Sequence, residues 1–281
     1  MISADEKEYI EEKAYLPEHI PQYVSAISMT EPSLFNDYIV HAKKNHLILV
    51  GYPLQEPFNE KRMKRAFEDA MKCFNPGSVA LIAPAIPSWM NGRDTPPSDH
   101  YYRLDLSTLS ISQKLRNMLT RASRELSLEK TRKFGKEHRK LVENFLKTHP
   151  VDEGTHAIFK RIDKYLSSST TAWIFNARSS PKGDLVAFDI AEFEARDYAI
   201  YMFNFTSGAL YVPGASDLLL SEVIQEAKEE KKKFINLGLG INSGVIFFKK
   251  KWGGVPFLPY ASCLYHPSRR ENLEPLLQKL S

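Results

Sequence analysis

The stretch FINLGLGINSGVIFFKKKWGG, residues 234–254, places glycines, lysines and a tryptophan close together after an apolar run. A nucleotide-binding loop is the first interpretation that this composition suggests. The dinucleotide fingerprint G-x-G-x-x-G must open a helix after a strand, but here Ser243 stands where the third glycine belongs. No G-K-S/T follows for a phosphate-binding loop, and VIFFKKKW shows no cap and only about two turns of helix. The stretch therefore argues against both nucleotide motifs.

Composition limits the class of protein. The chain has 281 residues, 43% of them hydrophobic and 26% charged, with a net charge of +4, as is typical of a globular protein with a mildly basic surface. Cys73 and Cys263 lie outside any metal-ligand spacing, and no apolar run reaches the ~20 residues of a membrane helix. The N-terminus is acidic and unlike a signal peptide. We expect a cytoplasmic protein without a metal site.

The N-terminal half has the pattern of a strand–helix–strand unit. Residues 46–54 and 76–87 are apolar runs of strand length, and residues 59–74 between them have a helical apolar face that begins after a capping Asn59. Such a unit favours parallel neighbouring strands. Because both strands are too apolar to lie on a surface, we predict a separate N-terminal lobe with its own sheet. The expected core positions are Ile48, Val50, Leu81 and Ile82.

The C-terminal half changes pattern. Three strand-like runs with short turn sequences between them predict antiparallel neighbours, and a helix over 216–233, a strand from Phe234 and a last strand over 256–265 follow. This order predicts a mixed sheet with one parallel pair beside the helix. The predicted fold class is α/β (α+β), with two lobes that each hold a mixed sheet flanked by helices, over 1–150 and 151–281.

Three segments, taken together, resemble a known family. They are Asn236-Leu237-Gly238 with Phe248-Lys249-Lys250-Lys251-Trp252-Gly253, the loop and helix PGASDLLLSEVIQEA (213–227), and the strand and arginine-rich helix LDLSTLSISQKLRNMLTRASRE (104–125). They are similar to segments of tandem-GNAT acyltransferases. That group includes Fem-type peptidoglycan aminoacyltransferases and the DUF2156-like catalytic domains of phosphatidylglycerol lysyltransferases. The resemblance covers residues 100–265 and implies two GNAT-like lobes.

The chain also departs from this family. It has no heptad run for the coiled-coil arm of Fem-type enzymes, and no apolar run for the transmembrane helices of the membrane-bound lysyltransferases. CoA-using GNAT enzymes carry several glycines between a strand and the following helix, where this chain reads YVPGASD with Gly214 alone. Binding of CoA through that motif is therefore open.

The resemblance implies an acyl- or aminoacyltransferase that moves an activated acyl group, from acyl-CoA or aminoacyl-tRNA, to an amine. The acceptor would be a small molecule, a peptide or a lipid, and no tightly bound cofactor is expected. Such a reaction needs alignment of the amine, its deprotonation, and a hydrogen-bond donor for the oxyanion. An inactive GNAT-like module that binds nucleic acid or a protein partner is the alternative, because the CoA glycines are missing.

Candidate site residues follow from the same resemblance. The donor would lie at the helix N-terminus after Gly214, where free N–H groups attract anions, and near the signature. The donor-binding candidates are Gly214, Ser216, Gly238, Lys249 and Trp252. The chemistry would lie where the third C-terminal strand splays from the strand at Phe234, and the polar candidates are Tyr201, Asn236 and Tyr260. Two other interpretations stay open: the lysines as a solvated face, and Trp252 as a core residue.

The most basic part of the chain lies between residues 114 and 140. At helical spacing Lys114, Arg121 and Arg124 share one side. Such a face suits tRNA, phospholipid headgroups or another polyanion, although most faces of this kind are simply solvated. We predict an anion-binding face on these three residues, with tRNA as one candidate partner.

Overall fold

The computed structural model describes residues 2–55, 57–90 and 98–267. The helices are α1 (Ala4–Lys13), α2 (Pro21–Ser28), α3 (Glu60–Phe74), α4 (Gln113–Glu125), α5 (Lys136–Thr148), α6 (Glu153–Phe159), α7 (Ile162–Ser168), α8 (Ala215–Glu229) and α9 (Ser243–Lys251), with 3₁₀ turns at Pro17–His19 and Ser88–Met90. The strands are β1 (Glu31–Phe35), β2 (Tyr38–Lys43), β3 (His46–Val50), β4 (Ser78–Ala83), β5 (Asp99–Asp105), β6 (Leu126–Thr131), β7 (Ala172–Ser179), β8 (Leu185–Glu192), β9 (Tyr198–Thr206), β10 (Phe234–Leu239) and β11 (Val255–Tyr265). No helix in these ranges is long and apolar enough to cross a membrane.

The strands of the described residues form one mixed sheet, in the order β1-β2-β3-β4-β11-β5-β10-β9-β8-β7-β6. Neighbours are antiparallel except for two pairs, β3 with β4 and β9 with β10, which run parallel. The predicted α/β class is therefore confirmed, and so are the parallel pair in the C-terminal half and the helix beside it, α8. The sequence pattern did not reveal that β5 inserts between β10 and β11.

Strand β11 joins the two halves of the sheet. Its residues 255–260 pair with β5, and its residues 261–265 pair with β4 on the other side. The separate N-terminal sheet expected from the sequence is therefore wrong, because one strand supplies hydrogen-bonding partners to both halves. Strands β5 and β6, which precede residue 150, also pair with strands that follow it. A lobe boundary at residue 150 stays a prediction.

Helices cover both faces of the sheet. Ala187 and Phe188 are successive residues of β8 and point to opposite faces, one into a core under α8 and the other into a core that includes α5. In the N-terminal half, α3 packs on β1 and β2. Val50 and Leu81 are fully buried there as predicted, whereas Ile48 and Ile82 are half-buried.

Helix α9 corrects the expectation of an uncapped segment after the glycines. The Asn242 side chain accepts a hydrogen bond from the Val245 N–H at 3.0 Å, which satisfies one of the free donors at the helix start. The segment is therefore a capped helix that ends at Lys251. It carries Lys249 back over the end of β10.

Candidate functional site

The parallel strands β9 and β10 separate part-way along their length. They pair only over residues 198–200 and 234–236, after which β9 continues to Thr206 beside β8. Strand β10 turns away at Gly238, whose φ of 75° lies in the region that favours glycine. We call the opening between the two strands the β9–β10 wedge.

Lys249 brings a buried amino group to this wedge. The residue is 4% exposed, and its Nζ donates a hydrogen bond to the Leu239 carbonyl. A Cβ added at Gly238 would lie 3.8 Å from that Nζ and 3.8 Å from the Tyr201 carbonyl, so the amino group lies where the strands part. Burial lowers the pKa of Lys249 to about 7, and the charge of Asp99 opposes this shift without forming an ion pair.

A buried carboxyl lies on β8, next to β9. Asp189 is fully buried, and its Oδ1 accepts a hydrogen bond from Asn204 Nδ2 at 2.5 Å. The Tyr201 hydroxyl lies beside Asp189 and lowers its pKa, because it favours the ionised form of the carboxyl. Neither the Tyr201 hydroxyl nor Asp189 Oδ2 has a partner in hydrogen-bond geometry, however. Burial dominates and raises the pKa of Asp189 to about 8. Ser216 Oγ donates to Asn204 Oδ1 at 3.2 Å, so a polar chain runs from α8 to β8.

A second carboxyl, Asp217, is neutralised by its neighbours. It lies in the first turn of α8, where its Oδ1 accepts from Trp252 Nε1 at 2.9 Å and pairs with Lys251 Nζ at 2.6 Å. An acidic side chain at this position would otherwise compete with a bound anion for the helix dipole. Because Lys251 compensates the charge, the N-terminus of α8 keeps its attraction for an anion.

A cavity of about 200 Å³ opens beside these groups, and we call it the α8 pocket. The end of β9, the loop before α8, the first turn of α8 and α9 form its walls. Its polar and aromatic lining residues are Thr206, Ser207, Tyr211, Ser216, Asp217 and Phe248. A cavity of this size suits a small acyl group and is too small for a whole nucleotide.

The three predicted catalytic residues take different positions. The Tyr201 carbonyl borders the wedge, but its buried hydroxyl lies beside Asp189 of β8. Burial, with Asp189 next in effect, raises the pKa of Tyr201 well above 10. Asn236 lies at the wedge, but its Nδ2 donates to the Tyr15 carbonyl and its Oδ1 accepts from the Gly238 N–H, each at 2.8 Å. Both polar groups of Asn236 are thus used to shape the wedge, which argues against the chemical role predicted for it. Tyr260 lies on the opposite face of the sheet.

Four of the predicted donor-binding residues lie at the α8 pocket or at the wedge, and the fifth, Trp252, lies in the core. Gly214 and Ser216 line the α8 pocket, while Gly238 and Lys249 meet in the wedge. Lys249 points at the Leu239 carbonyl, so the interpretation of this lysine as part of a solvated face is wrong. Trp252 is 1% exposed in the core under α8, and its indole N–H is bound to Asp217. Stacking of Trp252 on a nucleobase is therefore wrong, because no face of the ring is free.

The predicted basic face lies on α4, next to the α8 pocket. Lys114, Arg121 and Arg124 are exposed, and Arg121 Nε is 3.9 Å from Glu125 Oε1, a weak surface pair. A Cβ added at Gly214 would lie 3.0 Å from Met118 Cγ of α4. Lys114 and Arg121 stand four residues before and three residues after Met118, on the same side of the helix. Anion binding by this face stays a prediction.

Asp189 and Asn204 are site residues that no sequence pattern singles out. The available signal was a charged residue inside LVAFDIAEF, a strand whose other neighbours are mostly apolar. Its significance depends on Asn204 standing directly opposite on β9, a pairing that the sequence does not show. Within the described ranges, no group of three or more His, Cys, Asp or Glu side chains is arranged to hold a metal ion.

No protein-family model matches the chain, and no curated protein matches it. Solved structures do. L-PGS from Bacillus licheniformis matches at 16% identity and a TM-score of 0.61, covering 98% of this chain and 95% of that one. FemX matches at 10% identity and a TM-score of 0.65, and the match covers 100% of this chain and 98% of FemX. A tandem GNAT protein from the clavulanic acid biosynthesis pathway matches at 10% identity and a TM-score of 0.50, and the match covers 82% of this chain and 79% of that protein.

These likenesses are far too low in sequence identity to carry substrates across, but the first two extend over nearly the full length of both chains. They agree with the resemblance first seen in the signature segments around Gly238 and Lys249. The chain has the fold shared by L-PGS, FemX and tandem GNAT proteins.

Proposed function

We propose that this chain transfers an activated acyl or aminoacyl group to an amine, with the reacting carbonyl held in the β9–β10 wedge. The observation that carries the proposal is the buried amino group of Lys249. Burial of a lysine without a carboxylate partner is costly, and such groups concentrate at functional sites. The likeness to transferase structures of the same fold supports the same class of reaction.

We assign Lys249 to an anionic group of the donor. Because its pKa lies near 7, the amino group of Lys249 gains and loses its charge close to neutral pH. A phosphate brought into the wedge would favour the charged form and hold it there. The Leu239 carbonyl orients the amino group toward the opening before the donor arrives.

The α8 pocket is the proposed site of the remainder of the acyl group, beyond the carbonyl held in the wedge. It lies beside the N-terminus of α8, whose dipole remains available because Lys251 neutralises Asp217. Tyr201 keeps its proton at neutral pH, so its hydroxyl can donate a hydrogen bond to a developing oxyanion or to the leaving group. Asp189 and Asn204 would fix the position of that hydroxyl from β8 and β9.

The proposed step exchanges one bond for another. The amine nitrogen attacks the acyl carbon and forms a C–N bond, while the C–S bond of a thioester or the C–O bond of an ester breaks. The nitrogen loses one proton, and the leaving sulfur or oxygen takes one up. The site has to align these atoms and stabilise the intermediate, since the donor is already activated.

Two features favour aminoacyl-tRNA over acyl-CoA as the donor. Gly214 is the single glycine where CoA-using members carry several, and Lys114 and Arg121 flank Met118 at the side of the α8 pocket. Exposed cations at this position suit the phosphates of a nucleic acid. We propose that the protein acts in the cytoplasm, where both donors are made, on an amine of a small molecule, a peptide or a lipid.

Calorimetric titration tests the proposal directly. Wild type, Lys249→Met and the control Lys250→Met would be titrated with acetyl-CoA and with a non-hydrolysable aminoacyl-tRNA. We expect the Lys249 variant to bind the true donor at least tenfold more weakly, as for loss of a charge-assisted hydrogen bond. The control should match wild type, because Lys250 is exposed on the same helix.

The pH dependence sharpens this test. Lys249 loses its proton as the pH rises through 7, so donor binding by wild type should weaken between pH 6 and pH 8. The Lys249→Met protein should lack that component. Equal affinities of all three proteins for both donors would refute the assignment. Tight binding of uncharged tRNA without transfer to any amine would favour the alternative, an inactive nucleic-acid-binding module.

A further inference from the structure

A buried carboxyl on the other face of the sheet also lacks a partner. Glu18 belongs to the 3₁₀ turn Pro17–His19 after α1, and its Oε2 is shielded from solvent without a hydrogen bond. Burial raises the pKa of Glu18 to about 7. Within the described part of the chain, no lysine or arginine forms an ion pair with it. Burying an ionised carboxylate without a partner costs free energy of folding unless a ligand supplies the missing hydrogen bond or counter-charge.

Tyrosine rings surround this carboxyl. The Tyr101 hydroxyl lies beside the carboxylate and is itself buried without a well-oriented hydrogen bond. The Tyr101 ring meets Tyr52 at 5.8 Å and Tyr260 at 5.7 Å, edge-to-face in both cases. After burial, the charge of Glu18 also raises the pKa values of Tyr23, Tyr52 and Tyr260, so their hydroxyls lie within electrostatic range of it. We call Glu18, Tyr52, Tyr101 and Tyr260 the Glu18 cluster.

Charges of both signs lie around the cluster, since Arg103 stands two residues from Tyr101 on the same face of β5 and its Nε is buried without a hydrogen bond. Asp99 and Asp152 act on Tyr260 from β5 and from the start of α6. His19 stays neutral, because burial lowers its pKa to about 4, and its Nε2 lies 3.0 Å from the Tyr52 carbonyl oxygen. Among the described residues, no lysine or arginine acts on the pKa of Glu18 or Tyr101. The carboxylate of Glu18 would therefore itself supply the attraction for a cation.

The cluster is partly accessible and lies across the sheet from the wedge. Glu18 and Tyr260 are half-buried and reach the surface, whereas Tyr52 and Tyr101 are each 1% exposed, so a ligand would approach from the side of Glu18 and Tyr260. Tyr101 stands opposite Leu239 in the β5–β10 pairing, and the Leu239 carbonyl is the acceptor for Lys249. Tyr101 and Tyr102 belong to cores on opposite faces, and Lys249 lies on the Tyr102 side.

We infer that the Glu18 cluster binds the ammonium group of an organic amine, with the carboxylate as counter-charge and the half-buried Tyr260 ring as its cation–π partner. Aromatic rings around a carboxylate are a recurrent way to recognise alkylammonium ions. The inference rests on the proposed function, in which an amine is the acceptor, and adds the place where that amine binds. Donor and acceptor would then approach from opposite faces of the sheet.

Titration with n-butylammonium chloride, in the absence of any donor, tests the inference. Chemical shifts of the tyrosine ring protons or calorimetry would report binding. We expect saturable binding to wild type and no binding of n-butanol, which has the same length without the charge. Glu18→Gln should weaken binding at least tenfold, and Tyr260→Leu should weaken it less. Tyr101→Phe keeps the ring and should bind nearly as wild type.

Glu194→Gln is the matched control. Burial raises the pKa of Glu194 to about 7 as well, but its carboxylate accepts a hydrogen bond from Gln22 at 2.6 Å and lies outside the cluster. This variant should bind n-butylammonium as wild type does. Affinity for the wild type should also rise between pH 6 and pH 8, since Glu18 ionises there while the alkylammonium ion keeps its charge.

Three outcomes would overturn the inference: equal binding of n-butanol, unchanged affinity in Glu18→Gln, or no saturable binding at all. Circular dichroism of each variant shows whether it is folded, and Tyr260→Leu keeps the test informative if Glu18→Gln is not. The assay contains no donor and needs no turnover. A failure of amine binding is therefore distinguishable from a failure of the proposed transfer, which the Lys249 titrations report.

Discussion

At the scale of single residues, the functional hypotheses rest on ionisable groups that are buried with an incomplete set of partners. Lys249, Asp189 and Glu18 share this property, whereas Asp217 does not, because Trp252 and Lys251 satisfy it. Structural polar groups are normally paired, so the unpaired ones carry information about ligands. Their pKa shifts also make stability depend on pH in ways that can be measured.

Replacement of Lys249 by methionine should raise the free energy of unfolding most at pH 6 and least at pH 10. Its pKa lies near 7 in the folded protein against an ordinary 10.5, so the unfolded chain binds more protons between these values. Wild type therefore gains stability as the pH rises through that window. Below pH 7 the full cost of the buried charge remains, on the order of a few kcal/mol. Urea unfolding at pH 6, 8 and 10 measures the difference, and a pH-independent difference would contradict this account.

Replacement of Asp189 by asparagine should have the opposite pH dependence. Its pKa is near 8 when folded and 3.8 ordinarily, so the folded state binds more protons between pH 4 and pH 8. Wild type loses stability as the pH rises through this window, and the variant should not. Thermal unfolding at pH 5 and pH 8 compares them. Glu129→Gln is the control, because hydrogen bonds from Arg178 and Asn176 lower the Glu129 pKa below its ordinary 4.5. That carboxyl is ionised in both the folded and the unfolded state between pH 5 and pH 8, so its variant should keep the wild-type pH dependence in this window.

At the scale of elements, α9 determines where Lys249 lies. The helix begins at the Asn242 cap and ends at Lys251, so its position over β10 depends on that single side chain and on the buried Trp252 that follows. A short helix has few hydrogen bonds of its own and depends on its cap and its packing. Loss of the cap should therefore displace Lys249 from its position over β10.

We expect Asn242→Ala to reduce the free energy of unfolding by about 1 kcal/mol, the usual cost of removing a helix cap. Because α9 carries Lys249, donor binding should weaken in the same variant. Ser243→Ala is the matched control, since Ser243 is the neighbouring exposed residue and Asn242 is the one that accepts from Val245. Unfolding curves and the donor titration measure the two effects; equal values for both variants would count against a structural role of the cap.

The elements that the sequence could predict are those defined by local patterns. Turn residues separate β7, β8 and β9, and Asn59 caps α3 at the expected position. The Asn242 cap was equally local and was missed, because a single asparagine between glycines and serine is also typical of a loop. The insertion of β5 beside β10, and the meeting of Asp189 with Asn204, depend on long-range pairing that no local pattern encodes.

At the scale of the whole molecule, the continuous sheet is the feature that the sequence could least reveal. Two α/β halves are apparent from the order of strands and helices. Their union depends on residues 255–265, where one strand pairs with β5 along its first part and with β4 along its second. The register that allows this is fixed by the two partners, which are distant in sequence.

The shared strand should make the two halves unfold together. Trp89 packs on Phe67 in the N-terminal half, with ring centroids 4.9 Å apart, while Trp252 and Trp173 lie in the core under α8. In Trp89→Phe, tryptophan fluorescence reports on the C-terminal half, and in a variant that keeps Trp89 as its single tryptophan it reports on the N-terminal half. In each variant the urea midpoint from fluorescence should equal the midpoint from circular dichroism. A fluorescence midpoint that departs from circular dichroism in either protein would show that the halves are independent.

The position of β11 also matters while the chain is being made. It follows every other described strand in the sequence, yet it lies in the middle of the sheet between β4 and β5. Until residues 255–265 leave the ribosome, the facing edges of β4 and β5 have no strand between them. Unpaired strand edges are the usual points at which nascent chains associate with one another or recruit a chaperone. The strand that unites the finished fold thus leaves the nascent chain exposed to aggregation until late in its synthesis.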